Sequence, residues 1–115
     1  MKKRKPKPNT YYYKSALVGK HRQVFPVKPI WLINFPELPN YIFYLYKDEE
    51  EKFFVNESLT GMSISGEGLF SQKDALKIAQ RNLERFKDEF HKFHKIVDDN
   101  IKKYGVVPEP YVGEV

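Results

Sequence analysis

The chain predicts an α+β fold, a three- or four-stranded antiparallel β-meander packed on one long C-terminal helix, with an extended basic N-terminal arm. Three observations predict it. Apolar runs of strand length recur between turn residues from position 30 to 65. Apolar residues then return at spacings of three and four from Ala75 to Tyr104, which is the helical period. The first 23 residues, by contrast, hold eight Lys and Arg and no Asp or Glu.

The arm comes first. Residues 1–10 (MKKRKPKPNT) contain four Lys, one Arg, two Pro and no large aliphatic side chain beyond Met1, so burial cannot offset the entropy of ordering them. Tyr11, Tyr12 and Tyr13 begin the first region able to pack, and the prolines of Val24–Pro29 (VFPVKP) favour an extended connection. Residues 1–29 are therefore expected to form the arm and an extended segment, and residues 30–105 the folded domain.

Strands are expected at about 30–35, 41–47, 52–56 and 61–65. The first, IWLINF, is stopped by Pro36-Glu37-Leu38-Pro39. The second, YIFYLY, is apolar or aromatic at every position, the pattern of a central strand covered on one face by a helix and on the other by something else. Lys47–Glu51 (KDEEE) makes a charged turn into Phe53-Phe54-Val55, Glu57–Gly61 (ESLTG) makes a second turn, and Met62 and Ile64 share a face of a short fourth strand.

Gly66 and Gly68 end the sheet, and Ser71 with Asp74 three residues on starts a helix in the manner of a capping box. Ala75, Ala79, Leu83, Phe86, Phe90, Phe93, Val97, Ile101 and Tyr104 carry its apolar seam, and Gly105 stops it. An unbroken helix over 72–104 would run close to 50 Å at about 1.5 Å per residue, more than a small sheet can cover. A break near 88–93, or a second half packed elsewhere, would resolve this. Residues 106–115 hold two prolines and no apolar periodicity and read as a tail.

Composition narrows the class. A chain of 115 residues fits one domain, and 41% apolar with 16% aromatic content supports a folded body despite 30% charge. The absence of Cys removes disulfides, thiolate metal sites and cysteine nucleophiles, and suits a reducing compartment. No run approaches the roughly 18 apolar residues of a membrane span, and the basic start leads into Pro6, Lys7 and Pro8 rather than a secretory apolar run. A cytoplasmic location is expected, or a nuclear one in a eukaryotic cell through Lys2-Lys3-Arg4-Lys5.

The net charge of +5 divides into +8 over the first 23 residues and −3 over the rest. Lysine and arginine neutralise phosphates and release counterions, and aromatic side chains among them stack on unpaired bases. The candidate nucleic-acid contact is therefore Lys2, Lys3, Arg4, Lys5, Lys7, Lys14, Lys20 and Arg22, interleaved with Tyr11, Tyr12, Tyr13 and His21. A candidate protein interface, for a second copy or another partner, comprises Glu49, Glu50 and Glu51 in the acidic turn and Phe86, Phe90, Phe93, Val97, Ile101 and Tyr104 on the distal helix.

Catalytic chemistry finds no foothold. His91 and His94 share a helix side with Asp98, yet no further ligand stands in the pattern, and they read as surface histidines. Gly61, Gly66 and Gly68 lack the Lys and Ser/Thr of a phosphate loop and read as turns, and Ser71 reads as an N-cap. No metal or cofactor is expected. The expected function is non-enzymatic: an accessory or regulatory protein attached to nucleic acid or a nucleoprotein assembly through its arm. The alternative is a small regulator or inhibitor of the mobile-element type that binds protein through its helix seam and acidic hairpin.

The stretch Gly68-Leu69-Phe70-Ser71-Gln72-Lys73-Asp74-Ala75 after a meander resembles the DNA readers of the integrase-arm type, which pair a three-stranded sheet with a helix. That resemblance implies a sheet face that reads a DNA groove. Leu59-Thr60-Gly61 with the helix from Asp74 to Leu83 is similar to the HicB-like antitoxin domains, which combine a strand, a Leu-Pro-Gly turn and a Glu-Ala-rich helix.

Overall fold

The computed structural model describes residues 1–113, which form β1 (Lys2–Arg4), β2 (Thr10–Val18), β3 (His21–Val27), β4 (Trp31–Asn34), β5 (Phe43–Lys47), β6 (Phe53–Glu57), α1 (Gln72–Glu84), α2 (Phe90–Tyr104) and β7 (Tyr111–Val112). Two antiparallel sheets result, one ordered β1-β4-β5-β6 and the other β3-β2-β7. The α+β class holds.

The doubly apolar run around β5 organises the layers. Successive strand side chains point to opposite faces, so Phe43 and Leu45 enter one core while Tyr44 and Tyr46 enter another. The first core lies under the helices, with Ala75, Ala79, Leu83, Phe93 and Val97 packed on the sheet. The second joins Tyr44, Tyr46 and Leu32 to Tyr12 of the β2–β3 hairpin. The four-stranded sheet is thus sandwiched between two helices and a hairpin.

The expected arm is a correction. Residues 1–29 are largely β-structure: β1 pairs with β4 through Lys2↔Asn34, Lys3↔Ile33 and Arg4↔Leu32, and β2 and β3 form a hairpin in which Tyr12 lies opposite Val27. Backbone hydrogen bonds hold an edge strand whatever its side chains, and lysines on an edge deter pairing with other chains. In the hairpin, Tyr12 turns inward to meet Tyr44 at 5.1 Å between ring centroids. Burial raises the pKa of the Tyr12 hydroxyl, against the lowering pull of Arg4.

The expected strand at 61–65 reduces to one bridge between Asn56 and Ser63. Here the Ser65 hydroxyl accepts the Val55 amide at 3.0 Å, taking a place that a strand would fill with a carbonyl. The expected tail is also partly ordered. Val107 is buried with its amide donating to the Leu59 carbonyl, and β7 pairs with Thr10 and Tyr11; Glu114 and Val115 lie outside the described residues.

The single long helix is two helices. Ser71 caps α1, its Oγ accepting the Asp74 amide at 3.1 Å, and Gly105 ends α2 at φ +80°. Between them, amides of Phe86, Lys87 and Glu89 donate to carbonyls three residues back, tightening the chain into turns. A straight helix near 50 Å would exceed the molecule's longest extent of 43 Å. Breaking it lets both halves lie over the sheet.

A buried carboxylate fixes the turn after β6. Glu57 is fully buried and accepts from the Leu59 amide, the Thr60 amide and the Thr60 hydroxyl, the last at 2.7 Å. Burial raises its pKa, although these donors pull it back. The folded state therefore holds this proton more readily than the unfolded chain does. Its contribution is fully present below the unfolded value of about 4.3 and is lost as pH rises through the folded value. Urea titrations of wild type and Glu57→Gln should show the wild type losing stability relative to the variant as pH climbs through that window. A difference independent of pH would refute it.

Candidate nucleic-acid interface

α1 buries Ala75, Leu76, Ala79 and Leu83, which leaves Lys73, Lys77 and Arg81 exposed at successive spacings of four, one above another on the helix. Beside them runs the edge strand β1. Its Lys3 pairs with Ile33, whose side chain lies in the helix-side core, so Lys3 stands on that face, 5.2 Å above the Trp31 ring centroid. Strand and helix enclose an open groove of about 840 Å³ whose charged lining is Lys3, Lys73, Lys77, Arg81 and Glu84.

Four cations thus meet one carboxylate. Among the described residues the salt bridges are Lys52–Glu50, Lys92–Glu89 and Lys95–Asp99, so all four groove cations keep their charge free of an ion-pair partner. Leu76 supplies an apolar floor. Chemically the groove suits a multivalent anion with some apolar surface.

The other predicted contacts are dispersed. Lys2 and Arg4 alternate with Lys3 and so face the hairpin side, and Lys5 and Lys7 are exposed in the connection to β2. Tyr12 is buried, while Tyr11 stacks on Tyr111 at 5.2 Å and Tyr13 tilts against the same ring at 5.7 Å. Lys14 lies 5.6 Å from the Tyr46 ring, whose hydroxyl is pushed up to about 12 by burial. Arg22 donates to the Gly105 carbonyl at 2.6 Å, complementing the negative end of α2. Lys20 and His21 are exposed at the hairpin end.

The residues predicted for a protein interface are divided as well. Glu49, Glu50 and Glu51 are exposed in the β5–β6 turn, where the Asp48 carboxylate accepts the Glu50 and Lys52 amides. Phe93 and Val97 are buried, Phe86, Phe90 and Ile101 pack half-buried on the same core, and Tyr104 lies under Arg22. His94 Nδ1 shares a hydrogen bond with the Tyr41 hydroxyl, and His91 is exposed. Among the described residues no three His, Asp or Glu side chains gather as a metal site.

The sheet face that the integrase-arm resemblance would offer to DNA is covered here by the hairpin through Tyr12, Tyr44 and Tyr46. No family model, curated protein or solved structure matches the chain. The lysines of α1 fall outside the predicted contact because they sit in the part of the chain whose net charge is −3. Their spacing of four was the available signal.

Proposed function

We propose that the protein is a non-enzymatic nucleic-acid-binding module, accessory or regulatory in role, that holds a phosphate backbone along the groove between β1 and α1. One observation carries the reading: Lys3, Lys73, Lys77 and Arg81 converge there without ion-pair partners among the described residues. Each cation that neutralises a phosphate releases a counterion, so affinity comes chiefly from charge and carries little base preference.

Four contacts on a single strand give a log–log salt slope of about −3. Lys73→Gln/Lys77→Gln/Arg81→Gln should flatten the slope by about two and weaken binding roughly 50-fold at 0.15 M salt. Fluorescence anisotropy with labelled oligonucleotides across a salt series measures both. Unchanged affinity and slope in the triple variant would overturn the assignment to this groove.

A further inference from the structure

Phe70 is 85% exposed, more than any other large apolar side chain of the described residues. Its backbone is nevertheless held on both sides. Leu69 exchanges two hydrogen bonds with Phe53, at 2.7 and 3.0 Å, and Ser71 caps α1. A ring in water on a fixed backbone forgoes the burial that normally places phenylalanine inside. It also loses little further freedom when a flat partner arrives.

The position matters as much as the exposure. Phe70 immediately precedes the N-cap of α1, two residues before Gln72 and three before Lys73, both of which line the basic groove. The Phe70 backbone therefore stands at the end of α1 where the cation stripe begins. Along α1, Lys73, Lys77 and Arg81 are spaced by about 6 Å and span about 12 Å. Three cations over that length serve about three successive phosphates of one strand.

We infer that the groove takes single-stranded nucleic acid, with an unpaired base stacked on Phe70 and the following phosphates on Lys73, Lys77 and Arg81. This rests on the nucleic-acid reading above and deepens it. Only an unpaired, unstacked base presents its π-face to a side chain; a duplex hides those faces between neighbours. The chemistry is common to DNA and RNA, because every base has such a face.

The test measures binding of the full chain to labelled oligothymidine and oligouridine of about eight nucleotides, and to a DNA duplex of equal length, in about 50 mM salt. Single strands should bind more tightly than duplex. Phe70→Ala should weaken single-strand binding about tenfold, leave the duplex and the salt slope unchanged, and Phe70→Trp should restore affinity. Tighter binding of one single strand identifies the sugar, and equal binding shows that it is not read; each result fits the inference. Because Phe70 is exposed, the thermal midpoint of Phe70→Ala should match wild type. Binding that depends on the groove cations but is unmoved by Phe70→Ala, or is weakened equally for duplex, overturns the stacking role alone. Failure of wild type to bind any of the three overturns the nucleic-acid reading and this inference with it.

Discussion

Gly61→Val is expected to unseat the β2–β3 hairpin and to lower stability by about 3 kcal/mol or more. Gly61 has φ +70°, a conformation that a β-branched residue adopts only under strain. The surroundings are worse than the dihedral. A Cβ there would stand 2.7 Å from the Tyr13 carbonyl oxygen and 2.8 Å from the Ser15 amide nitrogen, backbone atoms that no rotamer change can withdraw. The same glycine is the hairpin's anchor, because its carbonyl accepts both the Ser15 amide and the Asn56 side-chain amide at 2.9 Å. Gly66, at φ +75° with open space around its Cβ direction, is the control. Gly66→Val should cost only the backbone strain, about 1–3 kcal/mol, and the excess of Gly61→Val over it isolates the steric contact. Urea unfolding gives the magnitudes. Hydrogen exchange should show β2 amides losing protection well before those of β5, since the hairpin leaves first. A Gly61→Val protein with the wild-type midpoint would mean that hairpin and sheet do not meet at this turn.

That docking was the part of the fold least legible in the residues. Tyr44 and Tyr46 announce a covered second face, and Ser71 and Gly105 announce helix ends, because each role depends on the residue's own chemistry and immediate neighbours. What covers that face does not follow in the same way. Three consecutive tyrosines conceal the alternation that sends Tyr12 inward and leaves Tyr11 and Tyr13 against Tyr111. β1 is held by backbone pairing, to which Lys2, Lys3 and Arg4 contribute no apolar signal. The helix break has no Gly or Pro at 85–89 to mark it. Its cause is tertiary, the limited length of the sheet beneath. The basic groove shares that character: Lys73, Lys77 and Arg81 are periodic in sequence, but Lys3 joins them only once β1 has found the edge of β4. Charge totals over chain segments hide such a site, since the acidic turn at Glu49–Glu51 cancels lysines on a different part of the surface.

Phe93→Ala is expected to cost about 3–5 kcal/mol, the range for removing a buried phenylalanine ring from a close-packed core. Phe93 is 2% exposed and meets three aromatic rings at once. Its ring lies edge-on to Tyr41 at 5.1 Å and to Phe86 at 5.7 Å, and 6.2 Å from Phe43 of β5. With the helix interrupted at 85–89, no hydrogen-bonded helical backbone carries α1 into α2. The contact between Phe86 and Phe93, both seated on the sheet core, takes over that role. Removing the ring therefore opens a cavity and also frees α2 to move relative to α1. Ile96→Ala, on the exposed side of the same helix, should change stability by less than about 0.5 kcal/mol. Urea unfolding of both variants at matched slope provides the comparison. If Phe93→Ala unfolds at the wild-type midpoint, α2 does not rest on the sheet through this ring, and its aromatic seam is open to a partner. If it loses the expected stability, the seam from Phe86 to Ile101 serves the protein's own core, and contacts with other molecules must use surfaces such as the groove that α1 shares with β1.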